Sequence, residues 1–406
     1  MNTTLRKSAY RALAMMYIAQ GLPTGFAFYA LGSLIRNAGY SVTEVGLTGL
    51  AFLPWAFKFL WAGPVDNACL RWGHARVIFF AQTLAVLTCI AVIPLPLASH
   101  LAGALSGIIL LNVICATQDI ATNAWAVLRM QGKTAGAANA IQIAGFIFGM
   151  LLGGGGLLIV HSHVGWHFTM ALLAALMAVI GGVLLLDKPW QSAVALQSTA
   201  GRVKVRLRDL LHHRDLGWAI GIALLFKFPG TAVNTLLQPW MVDRGMGIDA
   251  IGHLQIAMML ATSAGAILIG VPLVRRLGNR RAVIISYLMA TLMLGMAWSL
   301  ETAGASALWW CYLALCAQAV FEGAMFVAIW ALFMNWSSPA HPGTDFTAMQ
   351  CSENLANAVA AGLIGGLGQM LGYAHAFALI WLSGACVLII ITLCLRRLTL
   401  QTGKTS

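Results

Sequence analysis

The chain has 406 residues, of which 60% are hydrophobic and 9% charged, with a mean hydropathy of +0.83 and a formal net charge of +12. Soluble domains carry about 25% charged residues, so a soluble globular fold is excluded and domain counting by length does not apply. Most of the eight cysteines, among them Cys89, Cys115, Cys316, Cys386 and Cys394, lie inside apolar runs, which leaves neither a disulfide framework nor a zinc site.

In chain order, twelve apolar runs can be marked: 12–35, 45–63, 77–97, 101–128, 138–160, 168–186, 216–240, 251–273, 283–300, 307–333, 347–371 and 375–395. Each is near the length a tilted helix needs to cross a bilayer, and a helix satisfies its own backbone groups in lipid. The alternation expected of a membrane barrel is absent. The sequence therefore predicts an all-α membrane protein with 12 transmembrane helices. The first run, Ala12 to Ile35, is longer than the apolar core of a signal peptide and lacks a small-x-small cleavage site. It is read as a retained span.

Cations set the expected orientation. With the N-terminus inside, the inner segments hold 20 of the 24 Lys and Arg. The outer loops hold only Arg36 and Arg244, while Lys58 and Lys227 fall within runs. This asymmetry predicts cytoplasmic N- and C-termini and explains the basic balance without nucleic acid. Residues 188–215 read as a cytoplasmic basic linker, and its KVRLRDLLHHRD stretch could lie as a short amphipathic helix on the inner membrane surface.

The linker separates two related halves, 1–187 and 216–406. A shift of 206 residues superimposes Pro23 on Pro229, Gly39 on Gly245 and Gly46 on Gly252. A shift of 205 superimposes Arg71, Gly73 and Arg76 on Arg276, Gly278 and Arg281, and Trp125 on Trp330. A parallel repeat of two six-helix bundles accounts for the order of these matches.

Polar residues inside the runs carry the functional expectation. Asp119 lies ten residues before Arg129, the first cation after its run. At about 1.5 Å per residue that is roughly 15 Å, half of a ~30 Å hydrocarbon core. Lys227 and Glu322 sit at similar depth in other runs. Ionisable groups there are costly and mark transport paths by default. Asn123 shares a helix face with Asp119, as Gln318 does with Glu322. A structural ion pair between Lys227 and Asp119 or Glu322 is the alternative. Lys58 lies about five residues from the inner end of its run and could snorkel. Glu353 shares a face with Asn357, where helix–helix hydrogen bonding is the plainer reading. Pro23 and Pro229 should each loosen a helix at matched positions, as hinges. Gly145, Gly149 and Gly153 provide a close-packing surface, as do Gly362 and Gly366. His161, His163 and His167 share a short outer loop without carboxylate or cysteine partners, so no metal site and no cofactor is expected. No HExxH, GxSxG or phosphate-binding loop is present, and no enzyme is expected.

After the second run the chain reads GPVDNACLRWGHAR, and its repeat reads GVPLVRRLGNRR. This resembles the loop signature of the major facilitator superfamily, which implies a cytoplasmic latch built from Asp66, Arg71, Arg76, Arg276 and Arg281. The second copy has Val274 near the place of the acid. The segments YIAQGLPTGF, GLAFLPWAFKFLWAGPVD, ATQDIATNAW, GAANAIQIAGFIFGMLLGGGGLL, LLFKFPG and FTAMQCSENLANAVAAGLIGGL resemble the AmpG-related transporters. That branch includes muropeptide permeases, acetyl-CoA transporters and RhtX/FptX-type siderophore permeases, and the chain length is most similar to the last.

The resemblance implies two bundles around a central cavity lined by spans one, four, seven and ten. Asp119, Lys227 and Glu322 would then face one chamber. Gln20, Lys58, Asn123, Gln318 and Glu353 complete the expected substrate and proton pathway. The expected function is proton-driven import of a ferric siderophore across the bacterial inner membrane by a monomer working through alternating access. The alternative is a permease for muropeptides or another anionic small molecule. A non-transporting receptor is the reading from another class.

Overall fold

A computed structural model describes residues 3–40, 44, 47–191, 205–206, 210–211, 215–304 and 308–400. Among them there is no strand. The helices are α1 (Thr3–Gly25), α2 (Leu31–Asn37), α3 (Leu53–Phe57), α4 (Phe59–Trp72), α5 (His74–Val92), α6 (Leu97–Met130), α7 (Ala135–Leu151), α8 (Leu157–Leu186) and α9 (Lys188–Gln191). The second half continues with α10 (Leu216–Leu225), α11 (Phe228–Asp243), α12 (Ile248–Gly265), α13 (Val271–Leu277), α14 (Asn279–Thr302), α15 (Leu308–Trp336) and α16 (Pro342–Arg397). Among the described residues, nine helical segments are long and apolar enough to cross a membrane. Three long helices are broken, α6 at His100, α8 at Gly165 and α16 at Gly372, and at the two glycines φ is +74° and +73°. A side chain is strained in that left-handed region, so glycine permits the chain to turn there.

The chain forms two compact units. The first comprises Met1–Arg129, Ile141–Leu210 and Ser338–Thr347. The second comprises Met130–Ala140, Leu211–Ser337 and Ala348–Ser406. Of the expected basic linker, Arg202, Lys204, Arg208 and Arg214 lie outside the described residues.

Glycine sets the packing of the first unit. A Cβ on Gly21 would come within 2.3 Å of the Phe146 carbonyl oxygen, and one on Gly149 within 2.4 Å of the Ile18 carbonyl. α1 and α7 therefore touch backbone to backbone, as small residues at a spacing of four allow. The contact continues through π-helical turns at Phe26–Ala30 and Leu152–Gly156. In the second unit, Trp240, Leu254, Leu315 and Phe377 belong to one buried apolar cluster drawn from α11, α12, α15 and α16.

Candidate functional site

In the first unit the site is built around a fully buried cation. Lys58 occupies the break between α3 and α4. Its Nζ pairs with Asp119 Oδ2 on α6, and both side chains are 2% exposed. The expected snorkelling does not occur, because the carboxylate holds the ammonium inside, 5.2 Å from the Trp55 ring centroid. Asn123 Nδ2 donates to the same carboxylate oxygen at 2.8 Å, and Tyr17 Oη donates to Asn123 Oδ1 at 2.5 Å. Trp55 Nε1 donates to Asn112 Oδ1 at 3.0 Å. Gln20 on α1 is buried too, and its Nε2 donates to Thr122 Oγ1 at 3.4 Å. The polar stripe on α6 is thus tied to α1 and α3.

The second unit holds its own cation. Lys227 falls in the break between α10 and α11, and Pro229 stands in the first turn of α11. Proline lacks the N–H that would carry the helix through and suits a helix start. Lys227 pairs with Glu353 on α16. The alternative of a structural ion pair takes another form than Lys227 with Asp119 or Glu322: Lys227 pairs with Glu353, and Asp119 pairs with Lys58. Trp330 Nε1 donates to the other Glu353 oxygen at 2.9 Å. The lysine ammonium lies 4.4 Å from the Phe326 ring centroid and 5.7 Å from that of Trp330. Its side chain keeps 19% of its surface exposed, against 3% for Glu353. Thr231 Oγ1 donates to Asn357 Oδ1 at 2.8 Å nearby. Glu322 hydrogen-bonds Asn234 and also feels the Lys227 charge. It packs on Gly230, where a Cβ would meet its Oε1 at 2.8 Å.

Chemically, both units contain a lysine at a helix break, one carboxylate partner and aromatic rings. Tyr17, Trp55, Phe326 and Trp330 were not among the expected site residues. Inside apolar runs, aromatic residues look the same whether they pack or hold a polar group. Tyr17 and Trp55 lie inside the segments YIAQGLPTGF and GLAFLPWAFKFLWAGPVD, and Trp330 matches Trp125 in the repeat, but neither signal assigns these rings to the site.

The loop after α4 departs from the expected acid–arginine latch. Asp66 is buried and accepts hydrogen bonds from the backbone N–H of Gly343 at 3.1 Å and of Thr344 at 2.7 Å, and from Thr344 Oγ1 at 2.7 Å. Arg71, Arg76, Arg276 and Arg281 are exposed, and none forms an ion pair among the described residues. Within the first unit, the Asp66 carboxylate points into the protein while the Arg71 and Arg76 guanidinium groups point out, so they do not meet. Burial pushes the Asp66 carboxyl up from 3.8 to about 6, against the opposing pull of its Thr344 and Gly343 hydrogen bonds. Pro23 lies inside α1, three residues before the π-helical turn.

An all-helical membrane protein with ion pairs sequestered inside its spans has the anatomy of a secondary transporter. The chain belongs to the Major Facilitator Superfamily, whose family model matches residues 13–270 and again 228–405. It is similar to the anhydromuropeptide permease of Escherichia coli K12, 28% identical over 280 residues, or 67% of this chain and 57% of that protein. The chain thus matches little more than half the length of that relative. It is also similar to the transporter AmpG 4 of Rickettsia conorii, 23% identical over 66% of this chain and 68% of the relative. The proton:xylose symporter XylE shares the fold, with a TM-score of 0.72 over 100% of this chain and 98% of XylE at 12% identity. The protein is a multi-pass membrane protein of the bacterial inner membrane. These relatives are of the AmpG type, and they support the muropeptide alternative rather than the expected siderophore permease.

Proposed function

We propose that this transporter is a proton-coupled permease for an anionic, muropeptide-like solute, working by alternating access. The observation that carries the reading is the Lys227–Glu353 pair, beside Phe326 and Trp330, in a chain similar to an anhydromuropeptide permease. The partly exposed ammonium is an anion receptor whose resident anion is Glu353. A substrate carboxylate competes with Glu353 for Lys227, and a proton taken by Glu353 releases the lysine to the substrate. Binding of substrate and binding of a proton then favour each other, which is a coupling free energy between two sites. The faces of Phe326 and Trp330 give the cation further stabilisation while it exchanges partners.

Uptake of radiolabelled anhydromuropeptide into spheroplasts tests this, with a protonophore and with labelled ferric siderophore as comparisons. Protonophore-sensitive muropeptide uptake is expected, together with a loss of about tenfold or more in Lys227→Gln, the scale of one charge-assisted hydrogen bond. Uptake of the siderophore alone overturns the reading, as does muropeptide uptake that ignores both the protonophore and the Lys227 variant.

A further inference from the structure

Among α10, α11, α14 and α15 of the second unit lies a small cavity whose wall includes Tyr287, Thr291, Gln318, Glu322 and Met325. It leaves about 10 Å³ for the centre of a water molecule, room for one water and too little for a larger solute. Gln318 and Thr291 are 1% and 5% exposed. Neither end of the Gln318 amide has a protein hydrogen-bond partner, and neither does Thr291 Oγ1. Buried amides and hydroxyls are nearly always satisfied, by protein or by ordered water, because an unmade bond leaves their full desolvation penalty standing. The remaining wall includes Phe226 and Leu294, which offer no hydrogen bonds. One small neutral molecule that both donates and accepts fits this combination of space and chemistry.

We propose that the cavity is a single-water site in which Gln318 and Thr291 hold one water against the Glu322 carboxyl, giving Glu322 a proton path through the helices of its own unit. The water accepts from Gln318 Nε2 and donates to the ionised carboxylate. When the carboxyl is protonated, it donates to the water instead. A proton arriving on the water oxygen is matched by one leaving to Glu322, so the water is regenerated. Gly230 keeps the carboxylate seated, because any side chain there would collide with Glu322 Oε1. Lys227 is the charged neighbour of Glu322, and Tyr287 is the other titratable group in the wall.

Radiolytic hydroxyl-radical footprinting in ¹⁸O-labelled water tests the site without any substrate. Met325 and Tyr287 are 4% and 2% exposed, whereas Met370 is 83% exposed and serves as the internal standard. Radicals formed from a bound water should label Met325 and Tyr287 in the wild type, and Gln318→Leu should cut that labelling several-fold while Met370 stays constant. Thr291→Val should do the same and serves if Gln318→Leu fails to fold. Unlabelled Met325 and Tyr287 in the wild type, or labelling that both variants leave intact, overturns the water site. A second arm rests on the permease reading. Thr291→Val should lose gradient-driven accumulation about tenfold yet keep substrate exchange without net proton movement. Equal loss of both activities, or loss of neither, overturns the proton path. The footprint needs no transport, so failure of the site is distinguishable from failure of the permease reading.

Discussion

A lysine that lies inside a bilayer needs an anion within reach, and Lys58 shows how tightly that need binds two residues. It and Asp119 are 61 positions apart and are 2% exposed. Removing one partner of such a pair leaves an uncompensated buried charge, which costs about 3–5 kcal/mol in soluble proteins. Asp119→Asn is therefore expected to lower stability as well as transport, and uptake alone cannot separate the two effects. The double variant Lys58→Met, Asp119→Val removes both charges and changes the total volume by only about one methylene. It is expected to recover most of the thermal stability of the solubilised protein, because a buried pair exchanged for apolar residues is often neutral. If the pair serves proton coupling, uptake stays lost in that folded double variant. Wild-type uptake in it would return Asp119 to a structural role. The two charges themselves were legible, since each stands out in an apolar run. Their pairing was not, because nothing along the chain links residue 58 to residue 119.

At the scale of elements, the closest approaches are made by glycine. A Cβ on Gly153 would sit 1.8 Å from the Leu22 carbonyl oxygen, whereas one on Gly155, two residues along the same π-helical turn, meets nothing within 4 Å. Gly153→Ala must push α1 away and should destabilise by about 1–3 kcal/mol, the usual scale of overpacking. Gly155→Ala should stay within about 0.5 kcal/mol of wild type, as for an open surface position. Thermal denaturation of both variants in one detergent checks the contrast, and equal midpoints would show that α1 and this π-helical turn do not touch at Gly153. The spacing of Gly145, Gly149 and Gly153 made a packing surface readable in the sequence. The partner helix was not readable, since Gly21 and Gly25 on α1 stand among larger residues with no repeat of their own beyond a single spacing of four. Helix breaks divide in the same way. Pro229 announces the break at Lys227, while the break at Lys58 has no proline or glycine next to it and emerges only in the folded chain.

For the whole molecule, hydropathy made an all-helical membrane fold legible, because that signal is set by the solvent rather than by any one contact. The expected latch shows where such reading ends. Its acid is present, but Asp66 binds two backbone N–H groups and a hydroxyl at residues 343 and 344, and a sequence does not display backbone donors. This clasp should depend on pH with a definite sign. Burial, the largest influence on Asp66, raises its carboxyl from 3.8 to about 6, so the folded state binds this proton more tightly than the unfolded chain does. Its net contribution to global stability is therefore fully present below about 4 and declines as the pH rises through about 6. The hydrogen bonds from Thr344 and Gly343 act in the opposite sense, because they favour the ionised form. Their grip on the first turn of α16 is fullest above pH ~6 and weakens as the pH falls and Asp66 takes a proton. Asp345 and His341 face each other in the same turn, at 2.7 Å, and Asp345 adds a smaller upward push on Asp66. Amide hydrogen exchange at Gly343 and Thr344, corrected for intrinsic rates, should show protection that grows between pH 5 and 7, the interval of about one unit either side of the Asp66 midpoint. In Asp66→Asn the side chain no longer titrates, and protection should be lower and flat across that range. A wild-type profile as flat as the variant's would mean that the carboxylate charge does not hold this turn.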